Sequence, residues 1–526
     1  MGMLLVRIIK FGEHIPGSLM AFVGAGAALY YTQVGDKPIA RQELFTGMLV
    51  NDEFTAFVRV VLLVFTLLFI AFTYLTRMPA RENSVDFYCL VLGSVLGMCL
   101  MASANHLLMV FMAVEMASVP SYVMAGILRS NKKSSEAALK YAIYGAGTAG
   151  VMLYGISLIA GVVNTVHIPT IAIKLSEGMA TMSGGEQTAL VIGGLMLMAG
   201  LAFKLSAVPF HFWCPDVFEG ASAEVAAFLS VASKAAALAL LVRVAIGIGF
   251  LGPEDTSSLE VAAVQSDGLF AVEDVSAVSP TAGEGKTDPL SPVRGFLGLL
   301  IAFIATITCT FGNLAAYAQT NIKRLMAYST IAHAGYMMLA VPAALATATV
   351  SPDVARDSIA SLGLYITTYV IMNLGAFAVI AFFRNAFGSE EIADYAGIVR
   401  RSPVVVILFT IILFSLVGLP PFAGFLGKFA IFRSLANAYE ATGSFHLIAL
   451  LFVGGINTAI SLFYYLKVAK VMIIDPESDA APARPLALVS SLQFAYLFLL
   501  AVPVATLLIY LDPLNKWTQA AAQQLF

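Results

Sequence analysis

Two stretches decide how this chain reads: GLAFKLSAVPFHFW (residues 200–213) and FSLVGLPPFAGFLGK (residues 414–428). Each belongs to a membrane-length apolar run broken by proline, Pro209 in the first and Pro420 with Pro421 in the second. Each also carries one lysine, Lys204 or Lys428. Proline removes a backbone donor and clashes with the preceding turn, so the freed polar groups must be satisfied by neighbours, polar side chains or water. Interrupted helices at corresponding places in two halves of a membrane chain point to a transport site. Setting Phe203 over Phe414 puts Leu205 over Leu416 and Pro209 over Pro420, a weak internal match.

The surrounding composition agrees. The 526 residues are 59% hydrophobic and only 12% charged, with a mean hydropathy of +0.87; a soluble domain carries about 25% charged residues. A spanning helix needs about 20 mostly apolar residues. Thirteen such spans are expected, at 15–34, 54–76, 84–103, 105–128, 137–164, 186–212, 222–250, 294–318, 322–345, 358–383, 403–436, 444–472 and 487–510. The four cysteines, Cys89, Cys99, Cys214 and Cys309, are scattered, which offers no framework for a disulfide scaffold, a zinc site or an iron–sulfur cluster. The basic start, MGMLLVRIIKFGEHIPG, has no cleavage-site pattern and reads as retained. Net charge, −3, says little about partners.

Basic residues sort by side. With the N-terminus inside, fifteen Lys and Arg fall in cytoplasmic segments and eight on the opposite side, which fits the positive-inside rule and puts the C-terminus outside. Residues 251–293, rich in acids and in Ser, Pro, Gly and Ala, read as an exposed external loop. That loop separates two five-span units, 84–250 and 294–472. Five is odd, so the second unit is inverted relative to the first. Residues 1–83 then form N-terminal spans, and residues 473–526 a loop with the last span.

Embedded charges mark the candidate path. Glu115 alone among 32 carboxylates sits in the middle of such a run, LLMVFMAVEMASVPSYVMAGIL (107–128). A charge at that depth costs roughly 2.5–3.5 kcal/mol on insertion scales, so it faces a protein interior and marks an ion or proton path. Lys204 and Lys234 lie equally deep, too far for their ammoniums to reach an interface easily. A lysine there can exist charged or neutral. Lys428 follows the second break, and Lys140, four residues into its span, is taken as the partner of Glu115. His333 and His211 are intramembrane imidazoles suited either to relay a proton or to fill a structural role. Arg59 and Arg243, toward span ends, read as interfacial anchors.

The segments FKLSAVPFHFWCPDVFEGASAEVAAFLSVASKAA (203–236), FGNLAAYAQTNIKRLMAYSTIAHAGYMML (311–339), SSEAALKYAI (134–143) and GLPPFAGFLGKF (418–429) closely resemble the antiporter-like membrane subunits of respiratory complex I, subunit N of bacterial NADH-quinone oxidoreductase above all. The resemblance covers roughly residues 50–475. It implies that Glu115, Lys140, Lys204, Lys234 and Lys428 form a hydrated charge chain along the mid-depth of the membrane, with His333 as a possible relay. It departs in three places. The family has fourteen spans and the first is missing here. The loop at 251–293 is longer. Where the family shows G-A-P-A-P-V this chain has Gly220, Ala221, Ser222, Ala223, Glu224 and Val225, an added acid at the local proton entrance.

The expected fold is therefore an all-α polytopic membrane protein of about thirteen transmembrane helices, with two inverted five-helix repeats that each contain a broken helix. The resemblance implies a proton-translocating subunit of complex I in a bacterial inner membrane. Its partners are other complex I membrane subunits, the peripheral redox arm reached through them, and membrane lipids; nucleic acid and metal are not expected. FMN, iron–sulfur clusters and quinone belong to partner subunits, since this chain has no cluster-ligand spacing and no nucleotide-binding G-x-G-x-x-G. The alternatives are a subunit of a multi-subunit cation/proton antiporter and a non-conducting structural spacer.

Overall fold

The computed structural model describes residues 17–34, 39–79, 83–128, 131–251, 288–477, 489–508 and 510–526. Most of the acidic loop expected at 251–293, and the basic residues Arg7, Lys10, Lys37, Arg81, Arg129, Lys286 and Arg484, lie outside them. The described helices are α1 (Gly17–Gln33), α2 (Glu53–Thr76), α3 (Ser84–Ser103), α4 (Leu107–Ala125), α5 (Lys132–Val163), α6 (Ile168–Gly178), α7 (Gly184–Leu205), α8 (Trp213–Gly220) and α9 (Ala223–Gly249). They continue as α10 (Ser291–Ala316), α11 (Ile322–Met338), α12 (Ala340–Thr347), α13 (Pro352–Phe387), α14 (Pro403–Val417), α15 (Ala423–Thr442), α16 (Phe445–Ile473), α17 (Ser491–Thr506) and α18 (Leu511–Gln523). A small hairpin, β1 (Gln42–Leu44) with β2 (Leu49–Asn51), joins α1 to α2.

Every expected span coincides with helix, but among the described residues ten helices are long and apolar enough to cross a membrane unaided, α11 with α12 counting as one. The span expected at 403–436 is two helices, α14 and α15. Four elements were not expected: the hairpin, α6 in an external loop, the short α8 between two spans, and α18. α18 packs Trp517 on Phe57 with ring centroids 4.6 Å apart, and Gln524 just beyond it accepts a bond from the Glu53 amide at 3.0 Å. This seats the C-terminal segment beside the start of α2, on the side expected to be external.

α9 sits at the centre, with nearly every residue buried; α11 and α13 are almost as enclosed, whereas α5 and α16 bury one face only. Its sequence, AEVAAFLSVASKAAALALLV, explains the position: small side chains let neighbouring helices approach closely where no hydrophobic force against lipid drives them together.

A pair of matched clips reveals the internal repeat. In the first half the Leu107 amide bonds the Val166 carbonyl at 2.8 Å and the Ile168 amide bonds the Asn105 carbonyl at 3.0 Å, tying the start of α4 to the segment after α5. In the second half Ile322 bonds Glu390 at 2.9 Å and Ile392 bonds Thr320 at 2.9 Å, tying the start of α11 to the segment after α13. The two clips lie at opposite ends of α9. Arg243, near its C-terminus, donates to the Ala102 carbonyl beside the first clip at 2.9 Å. Lys323, beside the second clip, donates to Ala221 just before its N-terminus at 2.7 Å. At 1.5 Å per residue those ends are about 30 Å apart. The repeats are inverted.

Arg243 is not an interfacial anchor. It is buried, and its guanidinium bonds the Asp52 carboxylate, the Thr55 hydroxyl at 2.7 Å and the Ala102 carbonyl. Asp52, itself fully buried, also caps α2 by accepting from the Thr55 amide at 2.8 Å. Burial alone would push this carboxyl up, but the guanidinium and the Thr55 groups outweigh it and hold it below the ordinary carboxylate range. Arg59 stays half-buried and donates to Asn51 at 3.1 Å.

Candidate functional site

The two breaks are built alike. α7 ends with Ser206 in the left-handed region (φ 56°), its amide and that of Ala207 closing on Phe203 at 3.0 Å and Ala202 at 2.7 Å. α14 ends with Gly418 (φ 91°), whose amide closes on Ser415 at 2.9 Å while that of Leu419 closes on Phe414 at 3.1 Å. These turns put Ser206 over Gly418 and Phe203 over Ser415, so Pro209 falls over Pro421. The match by residue identity, Phe203 over Phe414, is one position out of register. The freed backbone groups find partners: the Val208 amide donates to the Thr308 hydroxyl at 3.0 Å, and that of Gly424 to the Ser415 hydroxyl at 2.9 Å. Only glycine fits at 424, since a Cβ there would stand 1.8 Å from the Ser415 carbonyl oxygen.

A helix C-terminus leaves carbonyls unpaired and carries partial negative charge. An ammonium occupies that end at both breaks. Lys234, fully buried on α9, donates to the Lys204 carbonyl at 3.1 Å and to the Ser206 hydroxyl, with its Nζ 4.9 Å from the Trp213 ring centroid. Lys428, buried on α15, donates to the Leu416 carbonyl at 3.2 Å and the Val417 carbonyl at 2.8 Å, 4.4 Å from the Tyr336 ring centroid. In the register set by the turns, Lys204 and Leu416 correspond. The same carbonyl is therefore taken by a lysine in each repeat, from different helices.

Lys204 itself points back toward α4. Its buried ammonium donates to Ser118 at 3.0 Å, and Glu115, half-buried one turn earlier on α4, lies within electrostatic reach of it. Lys140 is placed otherwise. Its half-exposed ammonium is held by Asp216 at 2.8 Å and Glu136 at 2.7 Å, and among the described residues no ion pair joins it to Glu115. The expected Glu115–Lys140 pair is not formed among the described residues, and the charge that acts on Glu115 is that of Lys204. Lys140 belongs instead to a charged cluster in which Arg324 bonds Asp216 at 2.8 Å and Glu219 at 3.0 Å. Consequently Glu115→Gln and Lys140→Met, at opposite edges of this arrangement, are expected to give independent, multiplicative defects in proton uptake by vesicles at equal complex content. A double variant that pumps better than the product of the singles would restore the direct pair.

Between the two lysine sites runs a polar seam that sequence reading did not find. Ser230, one turn before Lys234 on α9, bonds Thr330 at 2.7 Å and Tyr369 at 3.1 Å, and Asn373 donates to Ser230 and, at 2.9 Å, to Tyr369. Ser329, adjacent to Thr330 on α11, bonds the Tyr465 hydroxyl. His333 completes the seam, with Nδ1 2.8 Å from the Tyr365 hydroxyl and Nε2 3.2 Å from that of Tyr465. Tyr365 packs against Gly427, next to Lys428: a Cβ on Gly427 would meet its ring at 2.6 Å. His211 lies apart, wedged between Phe212 and Phe311. The one available sequence sign was asparagine deep in apolar helices, as at Asn373, since a buried amide demands partners.

Residues 104–266 and 286–456 match the family model described as NADH:quinone oxidoreductase/Mrp antiporter, transmembrane, well over half of the chain. The chain belongs to this family. Within it the chain is 36% identical over 512 residues to an NADH-quinone oxidoreductase subunit N of Anaeromyxobacter sp. (strain Fw109-5), covering 96% of this chain and 89% of that one. A second relative of the same name, from Desulfitobacterium hafniense, is 34% identical and spans 100% of this chain and 95% of its own length. Among solved structures a chain of respiratory complex I from Thermus thermophilus, determined with bound aureothin, superposes with a TM-score of 0.70 at 28% identity, covering 98% of this chain and 96% of that one. The family's antiporter-like fold, with two repeats that each contain a broken helix, is the one described above, and these relatives carry the name of a complex I membrane subunit.

Proposed function

We propose that this chain carries protons across the bilayer along Glu115, Lys204, Lys234, the Ser230–His333 seam and Lys428, driven by quinone reduction in partner subunits. One observation carries the reading. Two buried ammoniums are each seated on the open carbonyl end of a half-helix, and hydroxyl and imidazole groups fill the space between them. Carbonyl ends and hydroxyls can hold a lysine when it is charged and still leave it partners when it is neutral, the condition for taking up and releasing a proton. Hydroxyls also donate and accept, so each can hand on a proton without a net change of charge. The redox groups such a reaction needs, FMN, iron–sulfur clusters and quinone, are assigned to partner subunits. No group of three or more His, Cys, Asp or Glu suited to a metal occurs among the described residues.

Lys204→Ala and Glu115→Ala are expected to impair pumping and coupled turnover in the assembled complex, with its content near normal. Proton translocation and NADH oxidation, measured together in vesicles, check this. Normal pumping stoichiometry in both variants would sink the charge chain and favour a structural spacer. Sodium-dependent transport without NADH oxidation would favour a cation/proton antiporter.

A further inference from the structure

A second buried carboxylate stands at the opposite end of α9 from Arg243. Glu224, in the first turn of the helix, is fully buried, and its two oxygens are gripped by Arg384 of α13 at 2.9 and 3.2 Å. Through Arg384 the pair adjoins a cavity of about 370 Å³ whose lining includes Lys133, Glu219, Lys323, Glu390 and Glu391 as well as Gly220–Ser222. Arg384 is the residue that reaches both places: it lines the cavity and, with its side chain 21% exposed, holds the buried acid.

Most other charges around the cavity are paired with neighbours, and Glu391, which also lines it, accepts from the Asn321 side-chain amide at 3.4 Å. Lys323 pairs with Glu390 at 2.8 Å and donates to the Ala221 carbonyl, while Lys133 and Arg324 share Glu219. Glu224 differs from these acids in being fully buried, in the first turn of α9. Six residues further, about 9 Å along the axis, comes Ser230 with its partners Thr330, Tyr369 and Asn373, and one turn beyond that Lys234. α9 and α13 run side by side here and supply both pairs, Glu224 with Arg384 at the mouth and Ser230 with Asn373 at mid-depth.

We propose that Glu224 is the proton-loading group at the cytoplasmic mouth of this chain, with Arg384 as its gating counterion. The proposal rests on the proton path argued above. When the guanidinium turns into the cavity, a hydronium ion there gives up one proton to a Glu224 oxygen, leaving water. The resulting acid passes that proton inward through the Ser230 hydroxyl cluster to the neutral amine of Lys234. The carboxylate is regenerated, an ammonium forms, and return of Arg384 closes the mouth.

A buried ion pair at this place could instead be only a latch between α9 and α13, and the two roles separate experimentally. The whole complex containing this chain is reconstituted into vesicles, and proton uptake per NADH oxidised is read with a pH-sensitive dye at equal complex content. Glu224→Gln is expected to lower the proton-to-electron ratio, and Glu224→Asp to recover most of it. The double variant Glu224→Gln/Arg384→Gln, which leaves no unpaired charge, is expected to stay as impaired as Glu224→Gln. Recovery of parental pumping in the double variant, or parental pumping in Glu224→Gln while Lys204→Ala is impaired, overturns the proposal and leaves the proton path standing. Parental pumping in Glu224→Gln and Lys204→Ala alike overturns both.

Discussion

Lys234→Met is expected to cut proton translocation by the assembled complex about a hundredfold or more, the range by which positioned proton-transfer groups commonly contribute. Methionine follows the lysine stem closely and keeps its packing against Trp213, so the fold loses little. What it removes is the proton carrier. The Lys204 carbonyl and the Ser206 hydroxyl, both partners of the ammonium, lose their shared donor, and the link between the two repeats loses its charged member. NADH-driven quenching of a ΔpH dye in vesicles reads the effect. Pumping within twofold of the parent would remove Lys234 from the path.

Asp52→Ala is expected to be the most damaging single change to stability, by about 3–5 kcal/mol, because it leaves the Arg243 guanidinium buried without its carboxylate. It also removes the cap of α2, typically ~1 kcal/mol. Replacing both partners, Asp52→Asn with Arg243→Gln, should recover most of the loss. Thermal unfolding of the complex in detergent, or the amount assembled in the membrane, measures this. Because the folded carboxyl is depressed, the pair's contribution is present above the ordinary Asp range and falls away as pH drops through the folded value. A single variant as stable as the parent would show that the pair contributes nothing.

How much was legible in the sequence differs from residue to residue. Lys204, Lys234 and Lys428 stood out because a lysine at span depth has few bland explanations, and the breaks because proline leaves a signature at a known place. Inversion followed from an odd number of crossings. The partner of Lys140 was misread because depth was counted along the chain. α5 begins at Lys132, its first turns are polar, and the partner acid Asp216 comes from α8, 76 residues later. Arg243 was misread for the same reason, its acid lying 191 residues earlier. The repeat register slipped by one because identical residues were aligned, whereas the αL turns at Ser206 and Gly418 fix it. Of the seam, His333 and the deep amide of Asn373 were visible, but the hydroxyls of Ser230, Thr330, Tyr369 and Tyr465 were not, since hydroxyl residues are common in apolar helices and nothing in a single sequence says which of them share a face across helices.

The decisive distinction is between a lysine that must lose its proton and one that only holds helices together. Arginine keeps the charge and the donors but does not deprotonate in a protein. The measurement is therefore the proton-to-electron ratio of vesicle-reconstituted complex carrying Lys234→Arg, compared with the parent at equal complex content. A proton path through Lys234 predicts a ratio lowered nearly as far as in Lys234→Met. A parental ratio in Lys234→Arg would contradict it, leaving Lys234 as a fixed positive charge on the end of α7.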